Sequence, residues 1–521
     1  MLLATQLLAA MINYDLFDPR EFVILFAWLP FLTIPSIYIQ KRSFYIVIVL
    51  ACFVESFIGL CHWVILKGPL TATALFVMSN TNYYEALEFM EFKHNGFMIF
   101  IVLYLILFVF ALIKPPIYVS YPNKNFVVGI VFLFCAIFIS ENSLNERLIR
   151  KGTPQTVRAL IAYFQEVKIF NAIKKRKAAT IEAKKMHNND EGQVFVLIIG
   201  ESCNRNHMSI YNYKRKTNPK LEKRNDIFTY KNVVSGFSNT LYSVSSIISE
   251  SNLENKMTID KCISLIDVFH SAGFKTYWIS NQCPIGVWDN LISNLAQSSD
   301  VVKYVNISSN SSFESTYVPS YDSKLFDPLN VVINQPSKNK FIVLHLMGNH
   351  SSYAKRYPKE YSFFETTSSD KEQAVNEYDN SVLYNDFIID SLLNIISTYS
   401  KQQTHVICSA IYLSDHGEDV YDDALDYSGH DYTGSLPKSI SEIPFIVWLS
   451  PNFKNTKRQL LPVVEMNVNK PFISDDLFHS VLDLNEIECK YFEKKRSIFN
   501  VEFNAKRVRV LEDNLDYDLK P

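Results

Sequence analysis

The chain contains no Cys-x-x-Cys pair, which removes the zinc-ribbon and dithiol redox classes. It has no Gly-rich loop ending in Gly-Lys-Ser/Thr, so P-loop phosphate chemistry is excluded as well. No internal repeat is visible. Charge of one sign is also lacking: 51 Lys and Arg against 53 Asp and Glu leave a formal net charge of -2, and this balance makes no case for nucleic-acid binding. The first apolar stretch, Leu2 to Ile12, lacks a small-residue cleavage site after it. Asn13 to Pro19 follows instead, so the stretch reads as a membrane helix rather than a cleaved signal peptide.

What the chain does have is apolar length at one end. Leu2–Ile12, Phe22–Ile39, Phe44–Leu66, Phe97–Ile113 and Phe126–Ile139 are successive apolar stretches. Most approach the roughly 20 residues that cross a bilayer. Five crossings are consistent with the charges between them. Lys41-Arg42, Lys114 and Lys124 fall in loops that the positive-inside bias assigns to the cytoplasm. That places the N-terminus inside, with residues 67–96 and everything after about residue 141 outside. The expected organisation is a transmembrane α-helical domain over 1–141 and an interfacial helical linker over 142–192. A soluble α/β domain follows over 193–503, and then a charged tail over 504–521, expected to be ordered only in part. The basic clusters Lys174–Lys177 and Lys184-Lys185 then lie outside, where they can rest on anionic head groups. Cys52, Cys61 and Cys135 lie in membrane stretches. Cys262 with Cys283 is the first candidate pair in the exported part, although spacing alone establishes no bond.

Inside the soluble region, polar clusters stand at the ends of apolar runs. Val194–Ile199, Phe341–Leu344 and Val406–Leu413 read as parallel strands buried on both faces. They are followed by Gly200-Glu201, Gly348-Asn349-His350 and Ser414-Asp415-His416-Gly417-Glu418. Ligands of open α/β sheets bind beyond such carboxyl ends. Carboxylate and imidazole groups suit zinc or manganese. Thr240, between the polar run Ser235–Asn239 and the apolar-patterned Leu241–Ile248, is placed at a helix N-terminus. There it can be an ordinary N-cap, a nucleophile facing a phosphoryl group, or both. Together the clusters point to metal-dependent chemistry on a phosphate or sulfate ester.

These segments carry a family resemblance. Ile199–Tyr213 with Thr217–Pro219, Ser238–Ser243, Lys275–Gln282, His345–His350 with Arg356–Pro358, Tyr378–Asn380 with Tyr384–Asp386, and Ser414–Tyr421 resemble the phosphoethanolamine transferases of Gram-negative envelopes, within the alkaline phosphatase and sulfatase superfamily. Thr81–Phe89 agrees in the membrane half. The wording around Glu201 and Trp278 is most similar to the branch that modifies core heptose. The resemblance implies an alkaline phosphatase-like sandwich with a central, mostly parallel sheet. It implies one or two zinc ions, a first one held by Glu201, Thr240, Asp415 and His416. Thr240 is the implied nucleophile. His350 and His430 match histidines that hold the phosphate or a second zinc. Asn281 and Gln282 match head-group contacts, and Thr81 and Glu85 lie where the membrane half meets its lipid substrate. The implied reaction moves phosphoethanolamine from phosphatidylethanolamine to lipopolysaccharide, on core heptose or lipid A. The implied location is the periplasmic face of the inner membrane. Cys203 stands where relatives commonly have Thr, and Val77 where some have Asn.

Three rival readings follow from the same residues. One is a sulfatase or phosphatase that releases its product to water; the formylglycine type of sulfatase needs Cys or Ser followed two residues later by Pro, and Asn204-Arg205 after Cys203 does not supply it. A lipoteichoic-acid-type glycerophosphate polymerase shares the anchor-plus-domain plan and differs in its donor. An anchored binding protein with a decayed site is opposed by the presence of every ligand position.

Overall fold

A computed structural model describes residues 7, 11, 25, 41–66, 70, 75, 98–114, 154–174, 181–186, 191–257, 262–284, 290–307, 318–365, 367–422, 428–430 and 436–519. The chain divides into two compact units, one of residues 1–168 with 307–311 and one of 169–306 with 312–521.

In the first unit, helix α1 (Arg42–Leu66) and helix α2 (Met98–Ile113) pack together. Phe53 and Phe108 stack at 3.8 Å between ring centres, and the Tyr45 hydroxyl donates to the Ala111 carbonyl at 3.0 Å. The outward face of α2 is a continuous apolar surface that includes Ile99, Val102, Ile106 and Phe110. Among the described residues, the 23 residues Arg42–Val64 form one helix long and apolar enough to cross a membrane, and Ile99–Ile113 is a shorter apolar helix. Apart from Leu7, Met11 and Leu25, the other three expected crossings lie outside the described residues, as do Thr81 and Glu85. A third helix, α3 (Gln155–Lys174), ends this part of the chain.

The second unit is built on a seven-stranded sheet. Its strands are β1 (Gly192–Gly200), β2 (Ile227–Tyr230), β3 (Lys275–Ser280), β4 (Val301–Tyr304), β5 (Asn339–His345), β6 (Val406–Ser414) and β7 (Phe445–Leu449). Their spatial order is β2-β7-β6-β1-β5-β3-β4. The run β6-β1-β5-β3-β4 is parallel, whereas β7 pairs antiparallel with both β6 and β2. The sheet is thus mixed, with its antiparallel strands at one edge.

Both faces of β1 are buried, which explains its unbroken apolar run. Phe195, Leu197 and Ile199 face one layer. That layer contains helices α4 (Thr240–Ile248), α5 (Leu265–Ser271) and, later in the chain, Leu477–Leu484. Val194, Val196 and Ile198 face the other, which contains α6 (Phe326–Ile333) and the long α7 (Asp370–Gln402). At about 1.5–3 kcal/mol for each large apolar side chain removed from water, these two layers dominate the stability of the unit. Register sets Gly200 beside Ser414 and Ile199 beside His345. The residues following the three central strands therefore emerge together at one edge.

Candidate active site

Glu201 leaves the end of β1 on the layer that holds α4, and its turn is tightly constrained. Ser202 adopts φ +54°, a left-handed conformation rare for a residue with a side chain. The Asn349 amide donates to the Glu201 carbonyl at 2.9 Å. Gly348, also at φ +54°, passes so close that a Cβ would lie 2.6 Å from that oxygen, so this position requires glycine.

Thr240 is the first residue of α4. Its N-cap is Asn239, whose side chain accepts from the Tyr242 amide at 3.1 Å. Capping is therefore done by the preceding residue and the Thr240 hydroxyl is released from it. Thr240 Oγ1 lies 3.2 and 3.1 Å from the two carboxylate oxygens of Glu201 and 3.4 Å from His416 Nε2. His416 Nε2 is in turn 3.4 Å from Glu201 and 3.5 Å from Asp415 Oδ2. Ser202 and Gln282 complete the surroundings of Glu201, donating at 2.8 and 3.3 Å.

The carboxylate of Asp415 is divided in function. Oδ1 accepts the amides of Ser202 at 3.1 Å and His416 at 2.7 Å. Oδ2 is buried with no hydrogen-bond partner. A buried carboxylate oxygen that accepts no hydrogen bond and has only His416 Nε2 nearby, at 3.5 Å, is costly in a low-dielectric interior, and a bound cation would relieve that cost. Ligand atoms of Glu201, Asp415 and His416 all lie within 4.8 Å of one another. Their oxygen and nitrogen donors, joined by Thr240, fit zinc. The electrostatics agree. Burial pushes Asp415 up to about 7, reinforced by the adjacent charge of Glu201. Burial would also raise Glu201, but hydrogen bonding to His416 and the charges of His416, His350 and His430 hold it well below the usual range. His416, against burial, is held up to about 10 by Asp415 and Glu201.

A second cluster adjoins the first. His416, Glu418 and His430 place ligand atoms within 4.8 Å of one another. Glu418 Oε2 pairs with His430 Nδ1 at 2.6 Å, and Oε1 accepts from the Tyr353 hydroxyl at 2.7 Å. The His430 ring centre is 4.5 Å from that of His416 and 6.2 Å from that of His350. His350 and His430 thus lie together beside the first cluster.

Asn281 and Gln282, both expected to contact the substrate head group, have different surroundings. Asn281 is fully buried. Its amide nitrogen donates to Ser320 and Asp322 at 2.9 and 2.8 Å, and its oxygen accepts from Ser320 at 2.7 Å. With these polar groups engaged by the protein, it braces the loop of Ser320 and Asp322. Gln282 is turned to Glu201 and to the Leu346 carbonyl, the latter at 2.9 Å, so it holds the Glu201 carboxylate in place. Glu418 was visible in the Asp415–Glu418 run but not singled out as a site residue, because its partners Tyr353 and His430 are distant in sequence. Cys203 is buried, and burial pushes its thiol up to about 12, the opposite of the exposed, thiolate-favouring setting of a reactive cysteine.

Comparison with known proteins agrees with this geometry. The chain is 26% identical over 482 residues to the phosphoethanolamine transferase EptC of Escherichia coli, covering 86% of this chain and 81% of that protein. It is 27% identical over 422 residues to the phosphoethanolamine transferase EptA of Helicobacter pylori, covering 77% and 74%. The C-terminal periplasmic domain of E. coli EptC in complex with zinc superposes with a TM-score of 0.59 at 26% identity, covering 66% of this chain and 98% of that one. The integral membrane protein EptA of Neisseria meningitidis shares the fold over 95% of this chain and 96% of its own, with a TM-score of 0.52 at 18% identity. Residues 193–487, more than half of the chain, match the sulfatase family, and the chain belongs to that family.

Proposed function

We propose that this protein transfers phosphoethanolamine from phosphatidylethanolamine to lipopolysaccharide, on core heptose or lipid A, through a covalent phosphoethanolamine–Thr240 intermediate. The single observation that carries this reading is the Thr240 hydroxyl, 3.1 Å from the Glu201 carboxylate beside an Asp415 oxygen that accepts no hydrogen bond. The names of the relatives supply the transferred group. Zinc held by Glu201, Thr240, Asp415 and His416 would lower the pKa of the hydroxyl and neutralise charge on the phosphoryl oxygens.

The chain's own residues do the rest. Glu201 accepts the hydrogen bond of the Thr240 hydroxyl and orients the oxygen for in-line attack on phosphorus. The amides at the start of α4 and the imidazoles of His350 and His430 face the charge that develops on the transferring group. Attack forms the Thr240 O–P bond and breaks the bond to diacylglycerol, which leaves with a proton. In the second half-reaction an acceptor hydroxyl or phosphate attacks the same phosphorus and returns the electron pair to Thr240. A multi-pass anchor in the inner membrane, with this domain in the periplasm, would hold the enzyme in the leaflet of its lipid substrates.

Incubation with phosphatidylethanolamine and no acceptor should leave phosphoethanolamine on the Thr240 peptide, seen by mass spectrometry. Thr240→Ala should form no adduct and release no diacylglycerol. An active Thr240→Ala protein, or an adduct on another residue, would refute the mechanism. Fragmentation of lipopolysaccharide from cells with and without the gene would then locate the modified position.

A further inference from the structure

The mechanism above makes no use of the C-terminal segment, yet that segment is built into the back of the site. Leu511 is fully buried in an apolar cluster with Val234, Leu436, Ile440, Ile473 and Tyr517. Glu512, next to it, reaches the loop that leads from Val233-Val234 into α4. Its Oε1 accepts the Ser238 amide at 3.2 Å, and its own amide donates to the Gly236 carbonyl at 2.9 Å. The loop is thus clasped at both Gly236 and Ser238, two residues before Thr240.

The clasp is itself anchored. Arg509 pairs with Asp518 and donates to Asn232 Oδ1 at 2.8 Å. Arg507 Nη1 lies 2.8 Å from both Asp475 and Asp476. Tyr517 donates to Glu442, which also pairs with Arg205 at 2.9 Å. Asp513 accepts the Leu436 amide at 2.9 Å. Leu436 leads into the turn Lys438–Ser441, whose Ile440 carbonyl accepts the amide of Gly417 at 2.6 Å. The segment therefore braces the loop of Thr240 directly and the loop of Asp415 and His416 through one intermediary.

We infer that the C-terminal segment is a positioning element for the nucleophile, with Glu512 the residue that sets the loop carrying Thr240. The inference rests on Thr240 being the nucleophile. Glu512 touches no reacting atom. Its action is geometric, because a phosphoryl attack tolerates little displacement of the attacking oxygen. The side chain serves as an acceptor, so an amide in its place should serve as well.

The test uses the full-length enzyme in detergent with a short-chain phosphatidylethanolamine. Glu512→Ala should lower kcat on the order of tenfold, with KM and zinc stoichiometry unchanged, since three of the four proposed ligands, Glu201, Asp415 and His416, keep their places. Glu512→Gln, which keeps an acceptor oxygen at the same reach, should restore wild-type turnover. If the alanine variant fails to fold, Glu512→Asp supplies the comparison, because it withdraws the acceptor by one methylene and should also lower kcat. Wild-type kcat in the variants that lose or withdraw the acceptor, or equal loss in Glu512→Gln and Glu512→Ala, would overturn the inference. Thr240→Ala is run in parallel: if it stays active, the nucleophile reading fails, and that failure is distinct from a silent Glu512.

Discussion

Gly348→Ala offers a sharp trial of how the site is held. The glycine has φ +54°, and a Cβ there would stand 2.6 Å from the carbonyl oxygen and 2.7 Å from the amide nitrogen of Glu201. The left-handed conformation alone costs an alanine about 1–2 kcal/mol. The clash cannot be relieved by a side-chain rotation, because both opposing atoms are backbone. To reach ordinary contact at 3.4 Å, one strand end must retreat by roughly 0.8 Å, and the displaced residue is Glu201 itself. A shift of about 1 Å at a catalytic group can cost on the order of 100-fold in rate. The Asn349 amide bond to the Glu201 carbonyl at 2.9 Å is strained by the same movement. Release of diacylglycerol from phosphatidylethanolamine, zinc content by atomic absorption and thermal unfolding should be measured on one preparation. The expected result is a protein less stable by about 1–3 kcal/mol with turnover reduced about 100-fold. Turnover near that of the wild type would refute the claim that the backbone at Gly348 sets the position of Glu201.

Asp415→Asn should keep the amide acceptor toward Ser202 and His416 yet lower zinc affinity by at least about tenfold, read by competition with a chromogenic chelator; unchanged affinity would remove Asp415 from the ligand set. Cys203→Ala should leave adduct formation on Thr240 intact, at a modest stability cost of about 1–2 kcal/mol, and loss of the adduct would return Cys203 to consideration. Buried His207 sits between Asp379 at 2.6 Å and Asp422 at 2.9 Å. Burial opposes its charge, but the two carboxylates win and raise it from 6.5 to about 9. A folded value above the unfolded one gives stability that is complete below about pH 6.5 and lost as pH rises through about 9, a change of about 3 kcal/mol. Chemical denaturation across that window should show the decline in the wild type and its absence in His207→Gln, and an identical decline in both would exclude His207 as its source.

Much of this molecule is legible in one dimension. The runs Val194–Ile199, Phe341–Leu344 and Val406–Leu413 are apolar without alternation because both faces of their strands are buried. A strand buried on both faces leaves that mark on any sequence. Glu201 and Asp415 follow directly, since a polar residue two steps beyond such a run emerges at the carboxyl end of its strand, where ligands of α/β sheets bind. The segment motifs then named a family, and the comparisons agree with it.

Other features depend on contacts between residues far apart in the chain. That β7 runs antiparallel between β6 and the edge strand β2 depends on where the chain returns, which apolar content does not encode. Asn281 and Gln282 are adjacent and chemically alike, yet one is absorbed by Ser320 and Asp322 and the other reaches Glu201. Their separation arises from the direction of the backbone beyond β3, which is set by its neighbours. Asn239, and not Thr240, caps α4, a difference of one residue that only the turn geometry decides. The tail is rich in charge and reads as loosely held. In the folded chain those charges find partners: Arg507 meets Asp475 and Asp476, and Arg509 meets Asp518. Composition determines which groups need partners. Tertiary structure alone determines that Glu512 finds Ser238 across 274 residues.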